Sequence, residues 1–252
     1  MKVREMMALA KVELKKLYRD PMNLAVMLAM PVVLTLVFWL SMRELPTWWL
    51  EGASHFDFLV PGTMGMAVIY MTMMVAMALC TYREAGLLKR LETTPASAST
   101  YLGSLVVANV LIGVAQGLIV LLLAVALGFS PQIDLAGLAL TALYLALLSA
   151  AAVGFALLTA SIAKNSGAAS GLSMIFVLPM MIFGTWLTGF SEMTIAISRF
   201  TPNYYVTEPL TWLFQGAPLS AGILWKDLLI LTGIAIAASA AGIELFKRTE
   251  YR

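Results

Sequence analysis

Six long apolar blocks, at 22–42, 58–81, 101–129, 135–162, 171–190 and 223–246, are separated by short polar stretches. Only the last block holds charged residues, Lys226, Asp227 and Glu244. Each block comes close to or exceeds the ~20 residues that cross a ~30 Å hydrocarbon core as helix. The interruptions fall at Pro46, at the polar stretch Tyr82–Ser99, at Ser130-Pro131, at Lys164-Asn165 and over 191–222. The pattern predicts an all-α integral membrane protein with six transmembrane helices, in one domain over 1–252.

A different pattern precedes the first block. In residues 1–21, Val3, Met6, Met7, Ala10, Leu14 and Leu17 recur at helical spacing, with Lys2, Arg4, Lys11, Lys15, Lys16 and Arg19 among them. That predicts a basic amphipathic helix lying in the headgroup plane of an anionic leaflet. A signal peptide fits less well, because the basic stretch is too long and no small-residue cleavage site follows the next apolar run. Asp20 suits an N-cap and Pro21 the first turn of the next helix.

Segment 191–222 is about half apolar, rich in aromatics and broken by Pro202, Pro209 and Pro218. It is too broken for a seventh span and too apolar for a free loop. A pair of short helices dipping into the outer leaflet is expected, since irregular backbone at that depth must be shielded by protein or a wet cavity. Trp186, Tyr204, Tyr205, Trp212 and Trp225 are then expected at the interface.

Composition sharpens the class. Of 252 residues, 61% are hydrophobic and 12% charged, against ~45–50% and ~25% in soluble domains. That excludes an ordinary soluble enzyme, and equally a disordered chain. Cys80 and His55 are the only residues of their types. No intrachain disulfide or cysteine metal site can form. An intramembrane serine protease needs a base for its nucleophile, and His55 falls in an outer loop.

Charge decides orientation. With the N-terminus cytoplasmic, all of the 16 Lys and Arg except Arg43, Arg199 and Lys226 fall on the cytoplasmic side. The positive-inside rule therefore places both termini in the cytoplasm. An ion-gradient-driven secondary transporter is the alternative function. Such transporters carry acidic residues within their spans, and few occur here. Glu244 lies at a helix end near Lys247 and Arg248, while Asp134 and Asp227 are expected near the outer surface. Glu208 could pair with Arg199, face an exit path or be solvated.

The first cytoplasmic loop begins Tyr82-Arg83-Glu84-Ala85-Gly86 and runs through Leu87, Leu88, Lys89, Arg90 and Leu91 to Thr94-Pro95. Leu87, Leu88 and Leu91 fall on one helical face, and Pro95 ends the helix. On physical grounds this is either a handle for a cytoplasmic partner or a solvated loop that fixes topology. Gly113–Gly117 and Gly167–Gly171 are GxxxG spacings, suited to packing within one subunit or to a dimer seam. Gln116 could bond across helices or line a path. Met66, Met73, Met77 and Cys80 could offer soft ligands to Cu(I), though flexible packing is the commoner use of methionine.

The loop resembles the signature of the type-2 ABC-transporter permeases: an Arg-Glu pair, Gly two positions after the Glu, an amphipathic turn, then Thr-Pro and a new span. Leu17-Tyr18-Arg19-Asp20-Pro21, followed by an apolar run with Pro31, resembles the family's interfacial helix entering its first span. Phe58-Leu59-Val60-Pro61-Gly62 resembles the start of span two. Thr201-Pro202-Asn203-Tyr204-Tyr205 and Glu208-Pro209-Leu210 resemble the outer re-entrant segment before the last span. The similarity covers essentially the whole chain.

The resemblance implies the membrane subunit of an ATP-driven exporter in the plasma membrane. It implies a coupling region at 82–98 that touches a separate ABC ATPase subunit, carried by Arg83, Glu84, Gly86, Leu87, Arg90, Leu91, Thr94 and Pro95. The helix over 3–18 would frame that contact. Segment 191–222 would close the outer end, with Pro202, Tyr204, Tyr205, Glu208 and Pro209 along the exit path. A second permease subunit, identical or not, would complete the assembly, and no nucleic acid is expected. The outer loop 43–57 is short, as in the compact drug and polysaccharide exporters of the family. A P-loop requires GxxxxGK[ST], and the chain has no Gly-Lys dipeptide. ATP and Mg would therefore bind the partner, and no cofactor is expected on this chain.

Overall fold

A computed structural model describes residues 2–42, 55–88, 97–186 and 191–250. The described residues are helical, with no strand among them. In chain order the helices are α1 (Lys2–Arg19), α2 (Pro21–Met42), α3 (His55–Ile69), α4 (Met71–Glu84), α5 (Ala98–Ala126), α6 (Leu135–Ile162) and α7 (Ser166–Met181). A π-helical turn, Ile182–Trp186, follows α7. Then come α8 (Glu192–Ser198), α9 (Tyr204–Phe214) and α10 (Gly222–Glu250). Among the described residues, six helical stretches are long and apolar enough to cross a membrane: Ala25–Met42, Phe56–Glu84, Ser99–Ala126, Leu135–Ile162, Ser166–Thr185 and Gly222–Thr249. With six crossings, α1 and the end of α10 share one face of the bundle, here termed the basic end.

Side-chain caps move several boundaries from where hydropathy alone puts them. Ser97 Oγ accepts the Thr100 N–H at 3.2 Å and starts α5. Asp134 Oδ1 accepts the Gly137 N–H at 2.7 Å and starts α6. Asn165 Oδ1 accepts the Ala168 N–H at 2.7 Å and starts α7, five residues before the apolar block at 171–190. Each cap satisfies one of the orphan N–H groups of a helix start. Ser166 to Ser170 are small and polar enough to be read as loop, yet the cap makes them helix.

The second span is the shaft of the bundle. In the most apolar 18-residue window of Phe56–Glu84 78% of the residues are buried, against 17% in the corresponding windows of Ala25–Met42 and Gly222–Thr249. Tyr70 separates α3 from α4, and its N–H still reaches the Met66 carbonyl at 3.1 Å. Around α3 lies one apolar core with Val60, Met64, Tyr144, Leu145 and Leu210. Around α4 lies a second, with Val75, Leu79, Leu102, Leu157 and Phe246. The two cores pack around opposite halves of the second span.

Small residues let the spans approach. A Cβ on Gly117 would lie 2.6 Å from Leu145 Cδ1, and one on Gly242 would lie 2.5 Å from the Gly154 carbonyl oxygen. The Gly113–Gly117 face thus packs α5 on α6 inside this chain, whereas a Cβ on Gly171 meets nothing within 4 Å. Gln116, 3% exposed, donates through Nε2 to the Met27 carbonyl at 3.1 Å and joins α5 to α2. Met73 and Cys80 are buried, and Met73 Sδ accepts the Ser170 hydroxyl at 3.5 Å between α4 and α7.

Candidate functional site

At the basic end, α4 delivers Arg83 and Glu84 to the turn between α6 and α7. Arg83 Nη1 donates to the Ala163 carbonyl at 2.7 Å and Nη2 to the Ala160 carbonyl at 2.6 Å. The last carbonyls of a helix lack intrahelical partners and carry the negative end of its dipole, so a guanidinium suits them. Glu84 Oε1 accepts the Ser166 N–H at 2.9 Å, at the positive end of α7. The Arg83 guanidinium also sits over the Phe246 ring at 5.8 Å, which brings in α10. One Arg-Glu dipeptide therefore clamps the ends of three other spans.

The first helix borders this clamp. Lys16 on α1 pairs with Glu13 at 2.7 Å and lies over the Tyr82 ring at 5.0 Å. Leu88 is buried in the core around α4, while Leu87 is 40% exposed; the expected shared apolar face is thus split, because the chain turns between α4 and Leu87. Gly86 causes that turn, with φ +68°. A Cβ there would meet nothing within 4 Å. Its requirement for glycine inside this chain is the left-handed backbone, not a close approach. Arg90, Leu91, Thr94 and Pro95 lie outside the described residues.

At the opposite end, α8 and α9 are the two short helices expected over 191–222. Asn203, just before α9, is fully buried. Its Nδ2 donates to the Gly184 carbonyl at 3.1 Å and to Thr185 Oγ1 at 2.8 Å. Thr207 Oγ1 donates to the same Gly184 carbonyl at 2.7 Å, and Thr185 Oγ1 to the Gly62 carbonyl at 3.2 Å. A Cβ on Gly65 would overlap Asn203 Oδ1. The π-helical turn after α7 exposes the carbonyls that this knot needs, and the absent side chains at Gly62, Gly65 and Gly184 leave it room. Sequence reasoning missed Asn203 as a hub. The available signal was a lone amide inside the Thr201–Tyr205 motif.

Pro202 and Pro209 are buried, Tyr205 and Glu208 half-buried. The Tyr204 hydroxyl lies near both Arg199 and Glu208, so an acid and a base face it together. Its pKa is pushed up to about 12, by burial first and the Glu208 carboxylate second, with Arg199 pulling the other way. Tyr205 donates to the Arg199 carbonyl at 2.8 Å, and its pKa is raised chiefly by burial. Trp212 and Trp225 are about half exposed, whereas Tyr204 is 5% exposed and belongs to the core. Asp227, in the first turns of α10, is 3% exposed, and its Oδ2 has no hydrogen-bond partner. Its electrostatic neighbours are Tyr144 on α6 and Tyr205 and Glu208 on α9.

Among the described residues no group of three His, Cys, Asp or Glu could hold a metal ion. No curated protein matches the chain. The family model for the ABC-2 type transporter matches residues 4–217. That range takes in α1, the clamp and the knot around Asn203, and on this match the chain belongs to the ABC-2 type transporter family.

Proposed function

We propose that this chain is the membrane-spanning permease subunit of an ATP-driven exporter, docked on a separate ABC ATPase subunit and paired with a second permease subunit. The observation that carries this reading is the Arg83–Glu84 clamp. A push on residues 82–95 from an ATPase acts on the tip of α4, and the clamp passes it to α6, α7 and α10 together. The second span, 29 residues long, is the lever. Its far half meets the π-helical turn and Asn203, next to the segment that would close the outer end of the path. Tyr204, Glu208 and Pro209 on α9, with Pro202 and Tyr205 beside them, would then line the exit. ATP and Mg would act on the partner. The charge asymmetry supports a plasma-membrane protein with both termini cytoplasmic, with α1 at the cytoplasmic headgroups.

Asp227 favours a second reading, transport driven by an ion gradient, because a buried carboxylate with an unpartnered oxygen is what a proton relay uses. Proteoliposomes holding the chain with its co-purifying ATPase separate the two. On the first reading, transport requires ATP, survives an ionophore, and the subunit alone hydrolyses no ATP. Transport that persists without ATP and collapses with the ion gradient would establish the second. Orientation has its own check, in a Cys80→Ser background. Ser99→Cys and Met193→Cys, both at exposed positions, should react with an impermeant thiol reagent from opposite sides, Ser99→Cys from the cytoplasm.

A further inference from the structure

A cleft of about 360 Å³ opens beside the second span, between α1 and α2 on one side and α4 and α5 on the other. Its size is that of a ligand pocket. Its mouth is polar: Glu13, Lys16 and Asp20 of α1 border it, with Tyr82 opposite. Its walls are apolar and rich in methionine, with Met71, Met74 and Ala78 from α4, Ala108 and Ile112 from α5, and Met27 from α2.

The direction of the cleft follows from the helix that lines it. Contacts run along α4 from Tyr82 to Met71, eleven residue steps, or ~16 Å at ~1.5 Å per residue. That is about half of a ~30 Å hydrocarbon core. The cleft therefore begins at the headgroup level of the leaflet at the basic end and stops near the bilayer centre. There Gln116, one turn beyond Ile112, bonds the Met27 carbonyl and ties α2 to α5. A polar mouth above an apolar slot one leaflet deep matches one acyl chain of a lipid.

Charge selects the headgroup. Lys16 is half exposed and spends one N–H on Glu13. Its ammonium has three donors, so two remain for a ligand. Arg4, Lys11, Lys15 and Arg19 on the same helix are all exposed, and together they favour a phosphate-bearing, anionic headgroup over a cationic one. Met27, Met71 and Met74 give the slot adaptable walls, which suits chains of differing length and unsaturation.

We propose that this cleft seats one acyl chain of an anionic phospholipid from the adjoining leaflet, cytoplasmic in the orientation given above, with its phosphate on Lys16. The lipid would contact Thr81 and Tyr82, immediately before the clamp residues, so it would brace α1 against the tip of α4. The site does not depend on what the protein exports.

The test uses the full chain in phosphatidylcholine nanodiscs doped with phosphatidylglycerol that carries a diazirine near its tail end. After illumination, adducts are mapped by mass spectrometry. Leu122, Leu143 and Leu229, exposed on the apolar surface of the spans, report ordinary lipid contact. Adducts on Met71, Met74 and Ala78 should exceed those by several-fold and fall to the same level in Ala78→Phe, which fills the slot. A phosphatidylcholine probe should label the cleft several-fold less, and Lys16→Gln, which removes the ammonium but keeps a polar side chain at a half-exposed position, should erase the preference. Cleft labelling no higher than at the three surface leucines would overturn the proposal. So would equal labelling by both headgroups that Lys16→Gln leaves unchanged, which would mark a tail site for any amphiphile.

Discussion

Arg83 and Glu84 are neighbours in sequence, yet they hold opposite helix poles: the guanidinium takes the carbonyl end of α6 and the carboxylate takes the amide end of α7. The turn between those helices is only Ala163 to Asn165, so the dipeptide grips both sides of it. A positive and a negative charge are each placed where the helix dipole favours them. The pair thus has a structural job within the chain, whatever partner it also meets.

Their contributions should differ in size. Arg83 is half-buried and makes two charge-assisted bonds, whereas Glu84 is exposed and makes one. Arg83→Met should destabilise the detergent-solubilised subunit by roughly 2 kcal/mol, since hydrogen bonds to charged groups are worth ~1.5–3 each when shielded. Glu84→Gln should cost well under ~1 kcal/mol, as exposed charge interactions do. Thermal unfolding of the two variants reads this directly. Equal shifts would mean that the Arg83 bonds contribute no more than a surface pair.

Gly86 offers a cleaner separation of chain and partner. Its φ of +68° penalises any side chain, by ~1–2 kcal/mol for most residues and less for Asn. Gly86→Ala should therefore lower the stability of the isolated subunit, and Gly86→Asn should restore most of it. If Gly86→Asn is stable but no longer associates with the ATPase, a partner also packs on this residue. Identical losses for Ala and Asn in the isolated subunit would contradict the backbone explanation.

Gly65 and Asn203 should behave as a coupled pair. A Cβ on Gly65 overlaps Asn203 Oδ1, so Gly65→Ala must push the amide away from the Gly184 carbonyl and Thr185. Asn203→Ala leaves the same partners short of a donor, at ~1–3 kcal/mol. The double variant should cost less than the sum, because the second change removes the group that the first one collides with. A double-mutant cycle on thermal stability measures the difference, and strict additivity would show that the two residues do not meet.

Tyr204 predicts an alkaline limit. Its folded pKa, about 12, stands above the ordinary value of 10.0 because burial and Glu208 disfavour the phenolate. A pKa raised on folding gives stability that is fully present below the unfolded value, and it is lost as pH climbs from about 10.0 towards about 12. Unfolding followed across that window should steepen in the wild type and flatten in Tyr204→Phe. The same steepness in both would place the alkaline sensitivity elsewhere.

Much of the architecture is legible along the chain. Hydropathy separates six spans because each residue's preference for hydrocarbon or water is local and adds along a helix. Caps refine the edges, and these too are local: Asn165 starts α7 with a side chain reaching three residues ahead. The family resemblance rests on short motifs in order, and the family match over residues 4–217 agrees with it. The basic residues, gathered at one end, set the orientation proposed here.

Tertiary structure decided the rest, because it depends on neighbours far away in sequence. Arg83 meets carbonyls 77 and 80 residues on, and Glu84 an amide 82 residues on; nothing local in Arg-Glu points to those partners. Asp227 stands beside Lys226 at the start of the last span, and nothing local in that pair says that only the lysine stays exposed. Leu87 and Leu88 look alike, and a turn at Gly86 sends one out and one in. Asn203 is a single amide among aromatics until the π-helical turn supplies its acceptors. Periodicity says which residues prefer to leave water, but only the packing of one helix on another says which polar atoms they find there.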